Sequence, residues 1–339
     1  MLWMRRPVFL AALLVLVTAC AAPPPASSAT TAPPSATATP TATATASPSP
    51  TVAATPITLP SVAQLSAPSG TVVWALVAGT RLFRSSDRGD TWVEATIPPG
   101  LANVEVSFAD DTNGFVLSTG SSAECQTQTA SIWKTTNGAM SWQQVTATGI
   151  AEAMCKRGLA SSDAAHAFFT AYGPNSGPVI YRSVNGGPTW TASKPLPDPP
   201  GFTFTKPGGV VILPGRIRAF ASVLLIDAQP YGEQTRYVFR STDGGATLAY
   251  ASTAPTVEGT VAYVSETRWL QIAPPGSSKE TTDGGATWHA FTTDYSQAAP
   301  IASDIVFGDS LVGYATVRGA IQRTVDGGAH WTTIKTPGT

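Results

Sequence analysis

Short apolar runs recur along the chain, each closed by a polar turn. "SIWK", "VIYR", "YVFR" and "AIQR" read as β-type segments running into an Asp/Asn-Gly signal, and "WVEAT", "WQQVT" and "WTTI" follow on the far side. Strand, turn, strand is the pattern of a β-hairpin, and its repetition predicts an all-β protein. A second hairpin signal lies upstream of the first in "VSFADDTNGFVLS" from Val106, "GLASSDAAHAFFTA" from Gly158 and "DIVFGDSLVGYATV" from Asp304, with acidic turns at Asp110, Asp163 and Asp309. Two hairpins in series make a unit of four strands.

The turn between the later pair of strands repeats in register: "RSSDRGDTW" from Arg84, "KTTNGAMSW" from Lys134, "RSVNGGPTW" from Arg182, "RSTDGGATL" from Arg240, "ETTDGGATW" from Glu280 and "RTVDGGAHW" from Arg323. Its acidic or amide position falls at Asp87, Asn137, Asn185, Asp243, Asp283 and Asp326, at intervals of 50, 48, 58, 40 and 43 residues. That period matches the four-strand blade of a propeller. A side-chain oxygen here accepts backbone N–H groups within the turn, Gly supplies positive φ, and the Trp is expected to lay its ring across the hairpin base. Asn at two positions argues against acid chemistry, since an amide replaces a turn acceptor but not a proton donor.

The pattern Ser/Thr-x-Asp/Asn-x-Gly-x-Ser/Thr-Trp resembles the Asp box, or BNR repeat, of bacterial sialidases, xyloglucanases, sortilin-type receptors and photosystem II assembly factors. The resemblance covers nearly all of the folded region and implies a β-propeller. Six units fit, with blades near 57–95, 104–146, 156–194, 208–252, 259–293 and 301–335; a seventh would need segments that carry no box. The unit "GYATVRGAIQRTVDGGAHW" looks most like the assembly-factor group.

Ahead of the repeats, "MLWMRRPVFLAALLVLVTA" places Arg5 and Arg6 before an apolar run from Pro7 to Val17. The run is too short to span a bilayer and reads as a signal peptide over residues 1–19. "LVTAC" resembles the bacterial lipobox, which implies lipidation of Cys20 and a membrane partner through that lipid. Residues 20–56 are almost only Ala, Pro, Thr and Ser, with no charge between Arg6 and Arg81. They predict a disordered linker, about 36 residues at roughly 3.1 Å each if extended. The propeller is assigned to 57–339. The protein is thus expected to be exported and anchored to the cell membrane or outer membrane, with an extracellular or periplasmic, monomeric propeller.

Charge adds an exclusion. The chain has 20 basic and 21 acidic residues; removing Arg5 and Arg6 leaves 18 against 21, a formal charge of -3. That balance does not suggest nucleic acid. Besides Cys20 the only cysteines are Cys125 and Cys155, placed on the same face of one blade and expected to form a disulfide in an oxidising compartment.

In a four-strand blade the turns joining strands one to two and three to four share one face, so the boxes mark a rim. Ligands are expected on the other face, where Tyr172, Asp198, Phe202, Tyr231, Glu233 and Arg236 fall on loops. The function favoured is a non-catalytic binding or assembly module for a protein, peptide or glycan. The alternative is an extracellular glycoside hydrolase of sialidase or xyloglucanase type. For it, Tyr231, Glu233 and Asp198 are the catalytic candidates, and Asp198 with Asp227 the pair of aspartates. A sialidase needs three arginines around the substrate carboxylate. The segment before the first box lacks them, and Arg84, Arg182, Arg240 and Arg323 all precede boxes. His166, His289 and His330 show no ligand spacing, and neither metal nor cofactor is expected.

Overall fold

The computed structural model describes residues 63–174, 177–203, 212–256, 259–273, 276–295, 304–317 and 320–335. The expected signal peptide, Cys20 and the expected linker fall outside them.

Six four-stranded antiparallel sheets make a six-bladed propeller. The first holds β1 (Ala63–Ser66), β2 (Val73–Val77), β3 (Arg81–Ser85) and β4 (Val93–Ala95). The second holds β5 (Val104–Phe108), β6 (Gly114–Ser118), β7 (Ser131–Thr135) and β8 (Gln143–Val145). The third has β9 (Met154–Ser161), β10 (Ala167–Gly173), β11 (Gly177–Ser183) and β12 (Thr191–Ala192). The fourth has β13 (Ile212–Phe220), β14 (Val223–Pro230), β15 (Tyr237–Ser241) and β16 (Ala249–Thr253). The fifth has β17 (Thr260–Tyr263), β18 (Trp269–Ile272), β19 (Lys279–Thr281) and β20 (His289–Ala290). The last has β21 (Ile305–Phe307), β22 (Gly313–Val317), β23 (Ala320–Thr324) and β24 (Thr332–Ile334).

Each sheet consists of four consecutive strands, so among the described residues no strand is exchanged between the first and last blades. Side chains close the ring instead. Leu65, Val73, Ala75 and Phe83 of the first blade pack with Val306, Tyr314, Ile321 and Ile334 of the last in one buried cluster. Burial of that apolar surface is the main closing force, at roughly 25 cal/mol per Å² removed from water. Polar contacts fix its register: Trp92 Nε1 donates to Lys335 O at 2.8 Å, and Arg323 Nη1 reaches Asp90 at 2.9 Å.

All six boxes have one geometry. The hydroxyl of Ser85, Thr135, Ser183, Ser241, Thr281 or Thr324 donates to the Asp or Asn two residues on, and accepts a backbone N–H from four residues on. Oδ1 of that Asp or Asn accepts a further N–H four residues beyond it, as at Asp283 from Thr287 (2.9 Å) and Asn137 from Ser141 (3.0 Å). The second oxygen accepts a hydroxyl at Asp87, Asp243 and Asp283, as from Thr287, and contacts the His330 ring at Asp326; the Asn137 amide instead donates to Ser141 Oγ at 2.8 Å. A rotating hydroxyl serves either partner, which is why Asn and Asp interchange here.

The box turn is bonded to the first turn of its own blade in every case, through Arg88, Gly138, Gly186, Gly244, Gly284 and Gly327 N–H groups donating to carbonyls of Thr71, Thr112, Ala165, Ser222, Thr267 and Leu311. Both turns therefore share one face, as the topology requires.

At five of the six boxes the preceding residue takes part in stapling neighbouring blades. Arg84 reaches Asp111, Lys134 reaches Ala164 O, Arg240 reaches Glu266 and Arg323 reaches Arg88 O and Asp90. In the fifth blade the position is Glu280, and it holds Arg268, which donates onward to Ser310 O and Gly327 O. Three box tryptophans donate their indole N–H across the same seams. Trp92, Trp142 and Trp288 donate to Lys335 O, Thr96 O and Ser252 Oγ of the preceding blade. Trp190 and Trp331 instead bond within their own turns, to Gly187 O and Gly328 O. The indole N–H goes to whichever carbonyl or hydroxyl the blade seam leaves open.

Candidate binding site

The first strands of the six blades ring an axial cavity of about 280 Å³. Each is the inner edge of its sheet, and edge N–H groups need partners. Aligning the blades on their box hydroxyls puts Gln64, Glu105, Arg157, Arg216, Thr260 and Asp304 at one level of this ring. Three of them carry the next blade's edge. Gln64 Oε1 accepts from Val106 N–H at 2.8 Å, Glu105 Oε2 from Leu159 N–H at 2.7 Å, and Asp304 Oδ2 from Leu65 N–H at 2.6 Å. At Gly158 a Cβ would lie 2.8 Å from Gly215 O, so the third and fourth blades meet there by backbone approach.

Arg216 breaks the pattern of acceptors. The pairing of β13 with β14 skips between Pro214 and Ile217, leaving Gly215 and Arg216 opposite Asp227 alone. This bulge aims Arg216 across the axis. Its Nη1 lies 2.7 Å from both Asp304 oxygens, and its Nη2 donates to Leu65 O at 2.6 Å. Gly215 is required by the bulge, since a Cβ there would sit 2.6 Å from Asp227 Oδ1.

Two further arginines line the cavity. Arg236 pairs with Asp227, which is 9% exposed. Arg218 donates through Nη2 to Phe307 O, lies 5.3 Å above the Phe220 ring, and faces no carboxylate among the described residues. Burial, with the nearby charge of Arg216 adding to it, pushes the Arg218 pKa down to about 10. Tyr263 also lines the cavity; its hydroxyl is buried without a partner, and burial raises its pKa well above the usual phenol value.

Sequence reasoning missed Arg216, Arg218, Tyr263 and Asp304. Arginines at alternate positions of "RIR", on the first strand of a blade, were the available signal, because residues i and i+2 of a strand point to one side. The reading that left no arginine cluster near the axis is corrected by these three guanidiniums.

Of the candidates expected on loops, Asp198, Phe202, Tyr231, Glu233 and Arg236 lie between strands, whereas Tyr172 falls within a strand. Tyr172 on β10 donates to Ile212 O at the start of β13, and burial, partly offset by Arg157, raises its pKa to about 12. Phe202 packs against Tyr237 with ring centroids 6.0 Å apart. Both contacts gather the third-to-fourth-blade connection around the fourth blade. The β14–β15 loop carries Tyr231, 73% exposed, and Glu233, whose N–H donates to Pro230 O. Tyr231 and Glu233 are not hydrogen-bonded to each other. Arg236, at the end of this loop, connects it to the cavity through Asp227. Asp198 is exposed on the connection between blades, outside the cavity lining.

Elsewhere on that face, Cys125 in the short 3-10 helix Ser122–Thr127 is bonded to Cys155 of β9. Lys156 beside it is 2% exposed and donates to Gln128 O at 2.7 Å and to Ala153 O. Gln128 Oε1 returns the bond by accepting Lys156 N–H at 2.9 Å, so the β6–β7 loop is tied to β9 by one covalent and several polar links. Burial lowers the Lys156 pKa.

The histidines serve turns. His330 and His166 contact Asp326 and Asp163, and His289 lies near Thr287. Among the described residues no three His, Cys, Asp or Glu side chains form a metal-sized cluster, and no helix is long and apolar enough to cross a membrane.

No protein-family model matches the chain, and no curated protein matches it in sequence. Solved structures similar in fold include YCF48 bound to a D1 peptide, 18% identical, spanning 79% of this chain and 95% of that one at a TM-score of 0.43. The SapL1 lectin in complex with alpha methyl fucoside is 11% identical over 81% and 96%, TM-score 0.49. The Hadza microbial sialidase Hz136 is 11% identical over 81% and 65%, TM-score 0.47. At these identities the likeness is one of fold: a six-bladed propeller similar to YCF48, sialidase and other BNR-type propellers.

Proposed function

We propose that the chain is a lipid-anchored, surface or periplasmic propeller that binds a protein, peptide or glycan on the face opposite the Asp boxes, without turning it over. One observation carries this reading. The β14–β15 loop presents an exposed Tyr231 to solvent and, five residues on, roots itself in the axial cavity through the Arg236–Asp227 pair. An amphipathic aromatic on a firmly held loop is the side chain favoured at recognition surfaces.

Support against turnover comes from the carboxylates. Asp304 is committed to Arg216 and Leu65 N–H, Asp227 to Arg236, and Glu105 to Leu159 N–H. A carboxylate already paired with a guanidinium is a poor proton donor near neutral pH. The test is binding by the purified protein to peptide and glycan arrays, with Tyr231→Ala alongside. Binding weakened about tenfold or more by that change supports the reading, and binding indifferent to it does not.

Three arginines with Tyr263 and Asp227 on one cavity favour a second reading, a glycoside hydrolase whose centre is this cavity rather than Tyr231, Glu233 and Asp198. Turnover of sialosides or β-glucans that disappears in Asp227→Asn would establish it. Anchoring is tested separately: Cys20→Ala is expected to move the protein to the soluble fraction, and retention with the membrane would refute lipidation.

A further inference from the structure

We propose that the seam between the third and fourth blades, on the face that carries the boxes, is a docking point where Arg182 takes an acidic side chain of a protein partner. The inference goes beyond the Tyr231 reading and does not depend on it. It starts from a comparison of the blade seams. Arg84 meets Asp111 and Arg240 meets Glu266, while Lys134 and Arg268 donate to the carbonyls of Ala164 and Ser310. Asp111, Ala164, Glu266 and Ser310 hold one equivalent position in their blades, the residue before the carbonyl that accepts the N–H of the box turn. Arg323, where the last blade meets the first, reaches Arg88 O and Asp90 instead.

In the fourth blade that position is Ala221, exposed at φ +50° in the short turn between Phe220 and Val223. Alanine brings no side-chain acceptor to the seam. Arg182, the residue placed to make the staple, has no hydrogen bond or ion pair among the described residues. The Nε atoms of Arg84, Arg240 and Arg323 are buried as its own is, but each of those guanidiniums has a carboxylate within 3.6 Å. Open space marks the same place from the other side. A Cβ on Gly186, Gly284 or Gly327 would meet the stapling cation of the preceding blade, Lys134 at 2.7 Å, Arg240 at 3.8 Å or Arg268 at 2.7 Å. A Cβ on Gly244, in the box turn of the fourth blade, would meet nothing within 4 Å.

A half-buried guanidinium with unused donors favours a charged acceptor, and a carboxylate matches its planar fork. The molecule itself supplies the template, because Asp111, Glu266 and Asp90 serve the other seam arginines. The charges around Arg182 do not fill the place. Asp243 of the fourth box has its oxygens engaged by Ser241 and Thr247, and Asp163 is held by Ala165 and His166 of its own turn. Lys194, exposed where its N–H meets Ala246 O, adds a cation. A multiply charged phosphate would be repelled by Asp243 beside Gly244, so a singly charged Asp or Glu side chain is the better match. Val184, two residues from Arg182 and 57% exposed, offers the partner an apolar contact beside the ion pair.

Two measurements on the full-length protein test this. Ala221→Asp puts a carboxylate at the position that Asp111 holds in the second blade, in a left-handed conformation that Asp tolerates. Its thermal midpoint should exceed that of Ala221→Asn by about 2 °C, and the difference should vanish when Arg182→Gln is added. Equal midpoints would mean that the seam takes no carboxylate, and would overturn the proposal. The second measurement is a benzophenone cross-linker at Val184, irradiated in the native envelope. A discrete protein adduct is expected, with Asp or Glu in the cross-linked segment of the partner. Its yield should fall about tenfold in Arg182→Gln, and likewise in Ala221→Asp, where the internal acid competes for the guanidinium. The proposal fails if no protein adduct forms, if the yield is undiminished in either variant, or if the cross-linked segment holds no acid. Should Arg182→Gln not fold, Ala221→Asp alone decides. Capture of a partner at Tyr231 is read separately, so loss of one result leaves the other standing.

Discussion

Arg216 spans the propeller axis to Asp304, 88 residues away, and the same Asp304 carboxylate accepts the Leu65 N–H at 2.6 Å. One ion pair thus ties the fourth blade to the last, while Asp304 and the Arg216 bond to Leu65 O draw in the first. Among the described residues no strand is shared between the first and last blades, and this interior strut bears on their seam through Leu65.

Cutting the strut should be expensive. Arg216 and Asp304 side chains are 29% and 20% exposed, so either Arg216→Met or Asp304→Asn strands a largely enclosed charge and should cost about 2 to 3 kcal/mol. Urea unfolding measures it. Combining the two changes should cost less than the sum of the single losses, because no charge is then left unpaired.

The boxes predict an acid limb. Asp243 is held down to about 2, first by the Thr247 hydroxyl and N–H and then by the Ser241 hydroxyl. Its folded pKa is below the unfolded value of about 3.9, so its contribution is present above about pH 4 and is lost as pH falls toward 2. Asp243→Asn should therefore flatten the fall in thermal midpoint between pH 4 and pH 2 while changing little at pH 7, as Asn137 and Asn185 already illustrate. Asp243→Ala, which removes the acceptor, should lower the pH 7 midpoint as well.

Arg88 offers a stabilising change. It sits at φ +65°, where the other five boxes place Gly138, Gly186, Gly244, Gly284 and Gly327. Its side chain is exposed and the Arg323 bond uses its backbone carbonyl. Arg88→Gly relieves a left-handed side chain and should raise stability by about 0.5 to 1 kcal/mol, or about 2 °C by calorimetry.

The Cys125–Cys155 bridge joins residues 30 apart. Loop-closure entropy assigns such a link about 3 to 4 kcal/mol. Cys125→Ser combined with Cys155→Ser should lower the thermal midpoint by roughly 10 °C. The wild type in reductant should approach the same value, and the double variant should be insensitive to it.

Legibility in the sequence followed locality. The box turn is made within nine residues, so its hydroxyl, its Asp or Asn and its glycines were readable in place, and their spacing yielded the blade count. The β14–β15 loop was readable as a loop, but not Arg236 as the partner of Asp227 on a cavity wall. The strut from Arg216 to Asp304 depends on which blades face each other across the axis, and on a bulge at Gly215 that no residue pattern announces. The indoles illustrate the same limit. Trp92 finds Lys335 O only because the first and last blades adjoin, a relation that joins residues 243 apart.

Ligand is proposed to be engaged on the face opposite the boxes. A benzophenone photo-cross-linker introduced at Tyr231, and separately at Met140, tests it most directly, since Met140 is 74% exposed on a box turn. Irradiation in the native envelope should give a discrete adduct from position 231 and none from position 140. An adduct from position 140 with none from position 231 would contradict it.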